Sequence, residues 1–205
     1  MVTMNNAIAN SGRNSAAKSD KTRRRILSAA GSAFREHGID GVGVRDIMKR
    51  AGLTRGGFYF HFADKDSLFN EAIRDAALTS VATYISIAES APEGQKLQAF
   101  IHFYLSEEHR DQPEGGCIMS VLSGEVGRGS LKQRAAFTSA IGLILDRIAK
   151  YIPGENEVER GRKAGLLMSS MAGVLMMSRV LSDSSRSNAL LAGARQFYSK
   201  SFAVG

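Results

Sequence analysis

Residues 44–62 constrain the fold of this chain more than any other stretch. Val44, Ile47, Met48 and Ala51 recur at helical spacing, and Gly52 follows as a residue that lets a helix stop in a left-handed conformation. Leu53 can pack into the angle between two helices, and Thr54 is a good N-cap for a second one. In that second helix Phe58 and Phe62, four apart, supply a buried face. Arg55, Gly56, Gly57, Tyr59 and Phe60 are left at its N-terminal and outward surface. The pattern predicts two short helices around a sharp turn, a helix-turn-helix whose outward set would face a major groove.

Charge agrees with that assignment. Of the 27 Lys+Arg and 20 Asp+Glu in 205 residues, the first 66 residues hold 12 and 6, so nearly all of the +7 net charge sits in the first third. That is expected of a small domain that meets a polyanion, joined to a larger domain that does not. The single cysteine excludes an intrachain disulfide, and His37, His61, His102 and His109 have no metal-ligand spacing, so no metal and no cofactor is expected. Residues 1–18, rich in Asn, Ser and Ala, read as a flexible arm and not a signal peptide, with Arg13 and Lys18 as its cations. The most apolar stretch, Ala164 to Leu181, is interrupted by Ser169, Ser170, Ser178 and Arg179 and falls short of a membrane span. A cytoplasmic chain without a membrane partner is expected.

Along the rest of the chain, apolar stripes predict helices and no strands. Asp20 is placed to cap a first helix carrying Ile26, Leu27, Ala30, Ala33 and Phe34, which ends near His37-Gly38. Asp64 caps a helix to about Ala88 that links the head to the body as one rod. Ala91-Pro92 opens another, broken by Pro113 and Gly115-Gly116. Further helices are expected from Cys117 to Val126, Leu131 to Ile152, Glu155 to about Leu181, and Ser184 to about Phe202. The expected fold class is all-α, divided as arm 1–18, helix-turn-helix domain 19–66 and larger domain 67–205.

With these segments in place, residues 21–73 resemble the TetR family of one-component transcriptional regulators. The resemblance rests on Ile26-Leu27, Phe34 with Gly38, Val44-Arg45-Asp46-Ile47, Ala51-Gly52-Leu53-Thr54-Arg55-Gly56, Phe58-Tyr59 with His61-Phe62, and Lys65-Asp66 with Leu68. It implies a three-helix DNA-binding head on a helical-bundle ligand-binding and dimerisation domain. It further implies a homodimer on a palindromic double-stranded DNA operator, released by a small-molecule effector. Carried over residue by residue, Thr54, Arg55, Gly56, Tyr59, His61 and Lys65 stand at operator-contacting positions. Thr54 and the N–H groups of the first turn suit a phosphate, as do Tyr59 and Lys65. Arg55 fits either a phosphate or the edge of guanine, and His61 either touches a phosphate or packs under the helix. Arg45, Arg23, Arg24 and Arg25 are further phosphate candidates. Three departures thin out base readout: Val44 in place of a capping Thr, Gly57 with no side chain, and Phe60 without the hydroxyl of Tyr.

In the larger domain Gly165, Ser169 and Gly173, spaced by four, leave a narrow stripe where another helix can approach closely. With Met176 and, from the last helix, Leu190, Ala194 and Phe197, it forms either a four-helix dimer interface or an intrachain core. Phe100, Phe103, Tyr104, Cys117, Met119, Leu122, Phe137 and Ile141 are candidate linings of an effector pocket, or plain core. Cys117 follows two glycines at an expected helix start, where N–H groups favour a thiolate, so the effector is either non-covalent or thiol-reactive. The competing functions are an architectural DNA-binding protein without an effector and a thiol enzyme pairing Cys117 with His102 or His109, which has no evident third group.

Overall fold

The computed structural model describes residues 3–202, all of whose regular elements are helical. In chain order they are α1 (Thr3–His37), α2 (Val44–Arg50), a 3₁₀ helix (Arg55–Phe60), α3 (Lys65–Glu89), α4 (Lys96–Tyr104), α5 (Glu107–Asp111), α6 (Ile118–Val126), α7 (Leu131–Ile148), α8 (Glu157–Val180) and α9 (Ser184–Phe202). Single 3₁₀ turns, Pro113–Gly115 and Ala149–Tyr151, lie before α6 and after α7.

α3 ties the molecule together. Asp64 caps it by accepting from Ser67 N at 2.6 Å, and its apolar side packs against α1 at one end and along α7 and α4 at the other. Gly31 brings α1 close, since a Cβ there would stand 3.4 Å from the Ala72 carbonyl oxygen. Phe34 meets Phe69 edge-on at 5.4 Å. A single connected core runs from Ile26 on α1 to Tyr198 on α9. The boundary expected at 66/67 therefore falls in the first turn of α3.

Four local expectations are corrected. α1 reaches back to Thr3, so residues 3–18 are helical and not a flexible arm; the alanines at 7, 9, 16 and 17 favour helix, and Gly12 is tolerated. Met1 and Val2 of that arm lie outside the described residues. Asp20 accordingly sits within α1 and caps nothing. α4 opens at Lys96 and not at Pro92, because Gln95 N returns to Pro92 O at 3.0 Å across Gly94, whose φ is +80°. It also stops at Tyr104, before Pro113, because Ser106 caps the short α5 through His109 N.

The α1–α2 connection is built from glycine. Gly38 closes α1 with φ +79°, its N–H bonded to Phe34 O, and Ile39 and Val42 turn into the core. The freed N–H groups of Ile39 and Asp40 both donate to one carboxylate oxygen of Glu125 on α6, at 2.8 and 3.1 Å. At Gly41 the backbone folds so tightly that a Cβ would stand 1.9 Å from the His37 carbonyl oxygen.

Candidate nucleic-acid interface

α2 is capped at Gly43, whose carbonyl accepts from Asp46 N and Ile47 N at 3.1 Å, and it buries Ile47 and Met48. It ends in a left-handed turn in which Gly52, φ +67°, donates to Lys49 O and Leu53 N returns to Met48 O, both at 2.9 Å. Arg25 holds the turn from outside by donating to Ala51 O at 2.6 Å.

The second element of the motif is the six-residue 3₁₀ helix, not an α-helix, and Thr54 stands at its N-cap without a side-chain bond. Gly56 and Gly57 explain this. Adjacent glycines lower helix propensity by about 1 kcal/mol each, and the segment is too short to recover that through packing. Its buried base is as expected, with Phe58 and Phe62 in the core and their rings stacked at 5.8 Å. On that base Thr54, Arg55, Gly56, Tyr59 and Phe60 are exposed, Tyr59 at 68% and Phe60 at 89%, with Arg45 exposed on α2. Gly57, His61 and Lys65 are half-buried, and a Cβ on Gly57 would meet Met48 at 3.7 Å. The His61 ring lies tilted against Phe62 at 6.4 Å, so packing accounts for part of its surface.

The arginines on α1 divide into engaged and free. Arg23 forms an ion pair with Glu71, which holds its guanidinium above the usual range, and its Cζ lies 4.6 Å above the Phe62 ring. It braces the motif and is removed from the phosphate candidates. Arg50 is paired with Glu36, whose carboxyl that bond pulls down. Lys21, Arg24, Arg25 and Arg50 line a surface cleft of about 660 Å³ between α1 and the end of α2. It carried no sequence signal, because its walls come from two segments, 21–32 and 50–52, at least 18 residues apart.

Residues 26–72 match the family described as "Bacterial regulatory proteins, tetR family". The head of the chain is thus a TetR-family domain. The chain is 30% identical over 109 residues to the A-factor receptor protein of Streptomyces griseus, spanning 51% of this chain and 37% of that protein. It is 39% identical over 60 residues to the HTH-type transcriptional repressor AcnR of Corynebacterium glutamicum, spanning 29% and 32%. The matches thus span about a third of the length of these relatives. Among solved structures, the reduced form of Escherichia coli NemR superposes with a TM-score of 0.72 at 18% identity, over 90% of this chain and 98% of that one, so the TetR-like all-helical fold extends beyond the head.

In the body of the chain the expected pocket residues are packed. Phe100, Tyr104, Cys117 and Leu122 are fully buried and Phe137 nearly so, while Phe103, Met119 and Ile141 are half-buried against the same core. Tyr84, which sequence analysis passed over, joins Phe100, Phe103 and Tyr104 in one aromatic cluster with centroids 5.2 to 6.3 Å apart. Cys117 is the N-cap of α6, not a residue of its first turn, and its backbone N–H donates to His109 Nε2 at 3.2 Å. Its thiol is buried, so Gly115 and Gly116 do not expose it. The stripe on α8 differs. Gly165 and Gly173 have open space where a Cβ would go, Ser169 is exposed, and Met176 and Phe197 are 50% and 62% exposed. Leu190 and Ala194 are half-buried beside them.

Proposed function

We propose that the chain is a sequence-specific DNA-binding transcriptional regulator that acts in the cytoplasm as a homodimer. It represses from a palindromic operator and is released when a small molecule binds the larger domain. The observation that carries this reading is the exposed set Arg45, Thr54, Arg55, Gly56 and Tyr59, mounted on the buried pair Phe58 and Phe62 in the basic TetR-family head of the chain. An exposed polar surface on a rigid apolar base is what major-groove docking requires. The dimer is supported by the open stripe at Gly165, Ser169 and Gly173. Apolar Leu166, Met176, Val180 and Phe197 are exposed on the same two helices, a patch that a second copy would cover. The repressor assignment is taken over from AcnR, which carries that name.

Selection of bound sequences from random duplex DNA tests the reading. A palindrome is expected, with half-sites about one helical turn apart, about 34 to 36 Å, bound by a particle of twice the chain mass. Enrichment of no sequence, or a monomer at micromolar concentration, overturns it.

Burial of Cys117 favours a non-covalent effector over a thiol-reactive one. Alkylation of Cys117 is therefore expected to require denaturant, and labelling of the native protein at the rate of a free thiol would restore the reactive alternative.

A further inference from the structure

The interior of the body contains a polar centre that its own residues leave incomplete. Arg35 on α1 is only 9% exposed, and its one hydrogen bond runs from Nε to the Glu114 carbonyl at 2.7 Å. No carboxylate among the described residues lies within ion-pair distance of it. Arginine is rarely buried without a paired anion, because desolvation of the charge is then uncompensated. Burial accordingly lowers its pKa, with Tyr84, Cys117, Glu114 and Asp75 opposing from farther away.

The hydroxyls of Tyr84 and Tyr104 are in the same centre. Both side chains are almost fully buried, their rings 5.8 Å apart, and neither oxygen makes a well-formed hydrogen bond; the polar neighbours they face are the weakly bonding Cys117 thiol, shared by both, and Ser80 beside Tyr84. Buried polar groups of this kind are normally satisfied, so two in one cluster call for a ligand. Two further polar groups nearby are already engaged. His109 donates from Nδ1 to Tyr104 O at 2.7 Å and accepts from Cys117 N at Nε2, and burial lowers its pKa. Arg179 spends its donors on His109 O, Arg110 O and Ser120 Oγ. It also has no carboxylate in ion-pair contact. It forms part of the wall of an open pocket of about 410 Å³ with Arg110, Pro113, Ser178 and Ser187.

We propose that Arg35, Tyr84 and Tyr104 form a binding site for a small monovalent oxygen-bearing anion, a carboxylate or an inorganic oxyanion of a few heavy atoms, which enters past Arg179. The guanidinium supplies the charge, and the two phenols donate hydrogen bonds to the anion's oxygens. A small, singly charged ligand is inferred because Phe100 and Phe103 pack against Tyr84 and because Arg35, unlike Arg179, keeps donors that no protein group takes. The site names the effector class and rests on the reading of a ligand-responsive regulator. It also gives the effector a direct route to DNA, because Arg35 lies on the helix that leads through Gly38 into the helix-turn-helix.

The test is thermal melting of the full chain titrated with sodium formate, at ionic strength held constant with sodium gluconate, which is too large for the centre. A saturable rise in melting temperature is expected, and a parallel titration with sodium nitrate tells carboxylate from inorganic oxyanion. Arg35→Met is expected to melt no lower than wild type and to ignore both anions. The double variant Tyr84→Phe, Tyr104→Phe keeps the rings and is expected to need at least about tenfold more anion, the loss of roughly 1.4 kcal/mol of binding. No saturable response in wild type, or an unchanged response in the double variant, overturns the site. Should Arg35→Met fail to fold, the double variant still decides. Operator selection run alongside separates the two readings. A chain that selects a palindrome but ignores both anions loses only the anion site, and one that responds to formate but selects no duplex loses only the regulator assignment.

Discussion

Gly41→Ala is expected to lower the melting temperature more than any other glycine-to-alanine change in the head. The added Cβ would stand 1.9 Å from the His37 carbonyl oxygen, and a backbone atom cannot swing aside as the end of a side chain can. The loop must open, which strains the last turn of α1 and pulls Ile39 and Val42 from the core. Forced overpacking of this kind costs about 3 kcal/mol, the upper end of its usual range. For a chain of this size that corresponds to roughly 6 to 12 °C. Gly56→Ala is the control, since nothing lies within 4 Å of its Cβ and its φ is not positive. It is expected to melt at or slightly above the wild-type temperature, because alanine is the better helix former. Equal melting of Gly41→Ala and wild type, by calorimetry, would show that the connection is looser than described.

The second large effect is on DNA affinity. Tyr59→Phe and Lys65→Ala are each expected to weaken binding to every duplex alike. Only Lys65→Ala is expected also to flatten the salt dependence, because each lost cationic phosphate contact removes about 0.9 from the slope of log K against log salt, whereas the neutral Tyr59 hydroxyl displaces no counterion. Arg55→Ala separates the two roles open to its guanidinium. A uniform loss with a flatter slope means a phosphate contact, whereas a relaxed preference at one base pair, worth about 1 to 3 kcal/mol, means guanine readout. Fluorescence anisotropy on the selected operator at several salt concentrations measures all three. Unchanged affinity in all three variants would remove the 3₁₀ helix and its flank from the DNA-reading surface.

Sequence patterns were most legible where one element both forms and buries itself. The spacing of Phe58 and Phe62 predicts a buried face and the pattern from Ser184 to about Phe202 predicts a helix, and the structure has both. The 3₁₀ form of Arg55–Phe60 was hidden because the four-residue spacing of the two phenylalanines suits an α-helix. Its adjacent glycines mark only weakness, not which alternative is taken. At Pro92 the same residue type serves a helix start or a turn, and the choice was made by Gly94 two positions later.

The functional surface was harder to read. Arg23 looked like a phosphate ligand in a run of three arginines, yet its partner Glu71 is 48 residues away and on another helix. Arg35 stands in the last turn of α1, and nothing in its sequence neighbours announces that the side chain is buried. The small-residue stripe at Gly165, Ser169 and Gly173 was visible because emptiness at fixed spacing is itself a pattern. Whether that stripe faced the core was decided by the buried neighbours Met168, Met171 and Leu175 on the other side of α8.

The grip of Glu125 on the α1–α2 connection bears on how this chain can drift in evolution. Its carboxylate holds main-chain N–H groups, so the side chains at Ile39 and Asp40 are not what it recognises. Substitutions there leave the tie intact wherever the core and solvent accept them. The constraint falls instead on two positions 87 apart in the chain, Gly38 and Glu125. A Cβ at Gly38 would stand 2.9 Å from Glu125 Oε2, and its φ of +79° disfavours a side chain in any case. Relatives that lose the carboxylate are released from half of that restriction and keep only the demand of the turn. Among such relatives asparagine, which tolerates the left-handed conformation, becomes an admissible neighbour in sequence space. Loop composition and loop attachment are thereby uncoupled, and the head can change its residues without being cut loose from the body.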